Sequence, residues 1–137
     1  MNETIGLDLN PYCSRAVLLD AKGRVLSHVD TKDQFSVARW IRSSLDRHPA
    51  ARVVGSALDD FSEEVDSELR CADKRVELLS PTLSRALYHA GRPWNLKRKL
   101  HRARLLAYLH EMDVQPYGLE QWLRQFEHER AREILES

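Results

Sequence analysis

Three short apolar runs follow one another at the start of the chain, and they leave few folds open to it. The first is Ile5-Gly6-Leu7-Asp8-Leu9, the second spans 15–20 and the third 24–29, with the turn Ala21-Lys22-Gly23 between the last two. Each run is rich in Val, Leu or Ile and bounded by turn residues, which predicts three strands in a meander. Asp8 stands inside the first of them. A carboxylate in an apolar strand needs a partner, because burying the charge alone is costly.

The pattern then changes period. Asp33 can cap a helix reaching about residue 47, with Phe35, Ala38, Ile41 and Leu45 on one stripe and Trp40 beside it. His48-Pro49 ends it. Residues 52–58 read as a fourth strand. Asp60 or Ser62 caps a second helix, on which Phe61, Val65 and Leu69 recur every four residues, and 75–79 read as a fifth strand. Ser80-Pro81 opens a third helix, with proline where its missing N–H costs nothing. Leu83, Leu87 and Ala90 supply its apolar side. After Gly91-Arg92-Pro93, Asn95 caps a long helix to about 112, a linker covers 113–118, and a last helix spans 119–136. This order predicts an α/β fold, a mixed five-stranded sheet flanked by helices with a C-terminal helical extension. The α/β core is expected over 1–94, with two further helices over 95–137 packing on the core or on a partner.

At 137 residues the chain suits one domain with one core. It has no run of membrane-spanning length and no basic, apolar leader at its start, so a cytoplasmic location is the expectation. Cys13 and Cys71 have no metal-like spacing and read as two reduced thiols. The six histidines fall in no ligand motif, Ser56 is not set in a nucleophile elbow, and the five glycines form no phosphate loop. Glycine scarcity after Asp8 also weakens an actin-like or sugar-kinase reading.

The 21 basic and 21 acidic residues cancel, but they are not evenly spread. Acids dominate 51–80, through Asp59, Asp60, Glu63, Glu64, Asp66, Glu68, Asp73 and Glu77. Between Pro81 and His110 there is no acid, while Arg85, Arg92, Lys97, Arg98, Lys99, Arg102 and Arg104 accumulate. Such a block attracts phosphate whatever the net charge. It can equally neutralise the acidic block of the same fold. Trp94 beside it could stack on a base or pack on the sheet.

A carboxylate on the first strand of a meander is a feature of RNase H-like nucleases and of actin-like ATPases, and in both it holds a divalent metal. Several motifs bring the chain closer to one group. It resembles the N-terminal part of Piv-type insertion-sequence transposases, whose RuvC-like domain uses four acids in a DEDD set. Gly6-Leu7-Asp8-Leu9-Asn10-Pro11 stands where that family has GxDxxK, and Asp8 matches the first acid. Phe61 matches an aromatic that follows the fourth strand, but Ser56 stands at the glutamate position. Ser80-Pro81 matches an Asn-Pro pair, Gly91 a glycine and Ala103 an alanine. The two remaining acid positions fall on Lys99 and Arg102.

The resemblance implies an RNase H-like fold whose site is vestigial at Asp8, Ser56, Lys99 and Arg102. Lys99 and Arg102 lie one helical turn apart, so they share a face. On this reading one of them pairs with Asp8 where a metal would sit, leaving no Lewis acid and no activated water. The expected function is a non-catalytic, transposase-derived binding module with no cofactor. It would contact DNA or RNA through Arg92, Lys97, Arg98, Lys99, Arg102 and Arg104, or bind a partner protein. Trp122, Leu123 and Phe126 on the last helix suggest an interface, including a homodimer. The alternative is a Mg²⁺-dependent nuclease or transposase fragment that uses Asp8 with Asp59 or Asp60.

Overall fold

The computed structural model describes residues 3–9, 14–56 and 60–79. They form β1 (Thr4–Leu9), β2 (Ser14–Leu19), β3 (Val25–Thr31), α1 (Gln34–Arg47), β4 (Arg52–Ser56), α2 (Glu63–Cys71) and β5 (Glu77–Leu79). The expected helices from Pro81 onward, the linker 113–118 and the division at 94 lie outside the described residues.

The three apolar runs pair as an antiparallel meander, with Leu7 opposite Ala16 and Val17 opposite His28. A register shift at Leu18/Leu19 marks a bulge near the β2–β3 turn. In that turn Gly23 takes φ 80°, a conformation a side chain would hinder. β4 then enters beside β1, parallel to it, and β5 lies parallel beside β4. The strand order is β3-β2-β1-β4-β5, and β2 alone runs against the rest. The β4–α2–β5 segment is a crossover of the kind parallel neighbours require.

β1 is buried at every position. Its odd-numbered residues Ile5, Leu7 and Leu9 join Ala16, Leu18 and Val53 in a cluster with Val37, Ala38, Ile41 and Leu45 of α1 and Val65 and Leu69 of α2. Each large side chain buried here contributes about 1.5–3 kcal/mol. Both helices therefore sit on one face of the sheet. Alternation sends Thr4, Gly6 and Asp8 to the other face, opposite Leu19, Val17 and Arg15. On that face Val17, Leu19 and Val54 are 0% exposed and Thr4 is 1% exposed.

α1 begins where Asp33 accepts from the backbone N–H of Phe35 at 2.9 Å and from Ser36 Oγ at 3.2 Å. Val37 and Ser44, rather than Phe35, complete its buried stripe. Phe35 is 56% exposed, because the buried stripe runs through Val37, Ile41, Ser44 and Leu45 and Phe35 lies to one side of it around the helix. Trp40 packs at the margin and donates from Nε1 to Ser27 Oγ at 3.0 Å. α2 is capped by Ser62 and not by Asp60, with Val65 N–H donating to Ser62 Oγ at 3.2 Å. Glu63, Glu64 and Asp66 then fill its first turn, where the helix dipole favours acids. Two strands also differ from expectation. β3 runs on to Thr31 because Ser14 of β2 is there to pair with it. β5 starts only at Glu77, since Val54 is the first β4 residue it meets.

α2 closes with Asp73 at φ 54°. Lys74 N–H donates to Leu69 O at 2.8 Å and Asp73 N–H to Arg70 O at 3.0 Å, the paired bonds of a Schellman ending. At the far turn Asp20 accepts from the backbone N–H groups of Lys22 and Arg24, each at 2.8 Å, and from Arg24 Nε at 3.0 Å. The Arg24 backbone N–H leads in holding the Asp20 carboxyl below its ordinary 3.8. Its contribution is complete above that ordinary value and is lost as pH falls through the lower folded value. Among the described residues no helix is long and apolar enough to cross a membrane.

Two substitutions test the helix ends. Asp73→Gly removes the Cβ from a left-handed position and raises unfolding stability by about 0.5–1 kcal/mol in a urea titration. Asp33→Ala removes the cap of α1 and lowers it by about 0.5–2 kcal/mol in the same measurement.

Candidate functional site

Asp8 is 5% exposed and lies one residue from the carboxyl end of the central strand, on the face away from α1 and α2. Its cross-strand partner on β2 is Arg15, and the partner of Arg15 on β3 is Asp30. Arg15 Nε stands 3.5 Å from Asp30 Oδ1, with both side chains mostly withdrawn from solvent. Acid, base and acid thus line up across β1, β2 and β3 on one face. Directly opposed positions of a sheet place side chains close enough to interact, so a cation between two carboxylates lowers the cost of burying both.

On the other side, β4 matches β1 through Gly6 and Val54. Two residues on, Ser56 ends β4 at the level of Asp8. Gly6 leaves the floor beside Asp8 without a side chain, which allows another group to come close. The chain returns to this edge after β4. The backbone N–H of Asp60 donates to Leu9 O at 3.0 Å. Gln34 holds the returning segment, donating from Nε2 to Asp60 O at 2.6 Å and accepting from Ser62 N–H through Oε1 at 2.7 Å. In open α/β sheets the carboxyl ends of parallel strands are where ligands sit. Asp8 and Ser56 occupy two such ends side by side.

Mg²⁺ takes near-octahedral oxygen coordination, and a metal pair needs several acids converging. Among the described residues no group of three or more His, Cys, Asp or Glu is arranged to hold a metal ion. Asp60 reaches the site through its backbone while the residue as a whole is exposed. The described side chains therefore offer one buried carboxylate here, which does not fit a metal pair. Asp59 lies outside the described residues.

So do Lys99, Arg102, Arg92, Lys97, Arg98 and Arg104, and the interface candidates Trp122, Leu123 and Phe126. The structure brings together Asp8 and the backbone position of Ser56. Sequence reasoning missed Arg15 and Gln34. Arg15 was visible as the first residue of the second apolar run, but its place opposite Asp8 depends on the hairpin register, which the sequence of 10–13 did not define. Gln34 joins segments far apart in sequence and carried no local signal.

The Arg15–Asp30 pair is open to a double-mutant cycle. Arg15→Ala and Asp30→Ala should couple by about 0.5–1 kcal/mol in equilibrium unfolding, the range of a partly exposed pair. Additive losses would show that Arg15 and Asp30 do not stabilise one another. In comparisons with known proteins, neither a family model nor a curated protein matches the chain.

Proposed function

We propose that this protein is a non-catalytic binding module built on an RNase H-like sheet, with a degenerate acidic centre at Asp8. One observation carries the reading: a β3-β2-β1-β4-β5 sheet with β2 alone reversed, and a buried carboxylate near the carboxyl end of its middle strand. A carboxylate on the first strand of a meander, within a mixed five-stranded sheet, is what the resemblance to RNase H-like domains implies. The position beside Asp8 on β4 is Ser56, which brings no charge to a metal.

The register drawn from the sequence assigns the two remaining acid positions to Lys99 and Arg102. In this reading they are cations in place of metal ligands, which supports binding over hydrolysis. The acid-free stretch from 81 to 110 supplies the chemistry that recognises a nucleic acid, with Arg92, Lys97, Arg98, Lys99, Arg102 and Arg104 as its phosphate-contacting residues. Contact with a partner protein is the outcome if nucleic acid fails to bind. A homodimer through Trp122, Leu123 and Phe126 belongs to the same proposal and is read from the mass in solution.

Two assays test it. With Mg²⁺ or Mn²⁺ supplied, the chain should leave DNA and RNA uncut, and Asp8→Asn should behave identically. Metal-dependent cleavage that disappears in Asp8→Asn would replace the proposal with a live nuclease. In the second assay, affinity for DNA or RNA should fall steeply between low and physiological salt. Removing Arg98 should reduce the slope of log affinity against log salt by about one. No binding to either nucleic acid at low salt would exclude that surface.

A further inference from the structure

α1 and α2 lie side by side on the sheet and run in the same direction. Both start at its carboxyl edge, where Gln34 of α1 holds Asp60 and Ser62 at the head of α2. Arg42 Nε stands 3.9 Å from Glu68 Oε2 across the space between them, which fixes the level of one helix against the other. One turn nearer the N-termini, Arg39 on α1 is therefore level with Glu64 on α2. An open groove of about 400 Å³ runs here, lined by Phe35, Ala38 and Arg39 on one side and by Glu64, Ser67 and Glu68 on the other. Phe35 is 56% exposed, and Arg39 and Glu64 are exposed as well. Among the described residues neither Arg39 nor Glu64 joins an ion pair.

We infer that this groove is an interface with a second copy of the chain, formed about a two-fold axis that runs along it. The argument is charge complementarity. α1 carries Arg39, Arg42 and Arg47 against Asp46. α2 carries Glu63, Glu64, Asp66 and Glu68 against Arg70. The groove thus has a basic wall and an acidic wall. A two-fold axis along it sets the basic wall of one copy against the acidic wall of the other and keeps every residue at its own level. Arg39 of one copy then meets Glu64 of the partner subunit, and the reverse contact forms with it, as an isologous interface requires. The same axis brings Phe35 of both copies to one end of the groove, where two exposed rings leave water together. The helix dipole accounts for acids in the first turn of α2, but not for a phenylalanine exposed beside them or for arginines on the facing wall. This surface is separate from Trp122, Leu123 and Phe126, and the inference does not depend on the functional reading.

The test uses the full chain and measures its self-association by sedimentation over a range of concentrations. The unchanged chain should form a reversible dimer. A chain that stays monomeric up to about 1 mM would overturn the inference. Arg39→Glu and Glu64→Arg each set like charges against one another twice in the dimer. Either alone should weaken association by about tenfold or more. Phe35→Asp, which puts a charge where the two rings meet, should weaken it at least as much.

Mixing identifies the contact. In an equimolar mixture of Arg39→Glu and Glu64→Arg chains, both contacts between copies join opposite charges, so association should return to about that of the unchanged chain. Each chain carries one change, so a pairing within a single copy cannot produce that recovery, and neither can an unfolded variant. A mixture that associates no better than the two variants apart would overturn the inference. Association that ignores both charge variants and is lost in Trp122→Asp would place the dimer on the last helix and overturn it too.

Discussion

A strand buried on both faces has to satisfy its backbone through its neighbours, and β1 depends on having one on each side. β2 supplies an antiparallel ladder along its full length, and β4 a parallel one along its first half. Because water reaches neither face, one set of side chains must suit α1 and α2 and the other set must suit a second layer. The first set is Ile5, Leu7 and Leu9, and it anchors the core. The second is Thr4, Gly6 and Asp8, small or polar residues that no core would choose for packing alone. A position that departs from packing logic inside a buried strand is where function is to be sought.

Asp8 owes its setting to that arrangement. The meander puts Arg15 opposite it and Asp30 beyond, so a positive charge from the fold itself stands within the acidic line. The parallel pairing with β4 puts Ser56 on the other flank, where a second acid would be needed to hold a metal. The Gln34 clamp fixes the segment that crosses the end of β1 through its backbone. In the proposed function these features frame the degenerate acidic centre at Asp8.

Much of the fold was legible locally. The three apolar runs, the Asp33 cap and the four-residue spacing of Val65 and Leu69 each specify an element by composition and period alone. Choices between equivalent signals were less legible. Asp60 and Ser62 both looked like caps for α2, and Ser62 holds that place because it immediately precedes Glu63, the first helical residue, where its Oγ accepts from Val65 N–H. Phe35 looked like core and is exposed, because local spacing allowed more than one stripe and the one that packs is centred on Val37, Ile41 and Ser44.

Among the described residues, the amino-acid sequence by itself determined which segments are strands and which are helices, and that a carboxylate sits in the first strand. Those properties depend on near neighbours along the chain, through capping, turn chemistry and hydrophobic period. Tertiary structure alone decided where β4 and β5 join the meander and the company Asp8 keeps. Pairing register joins residues such as Asp8 and Arg15, or Gln34 and Asp60, whose proximity no local propensity encodes. It is settled only when the central strands bury both of their faces at once.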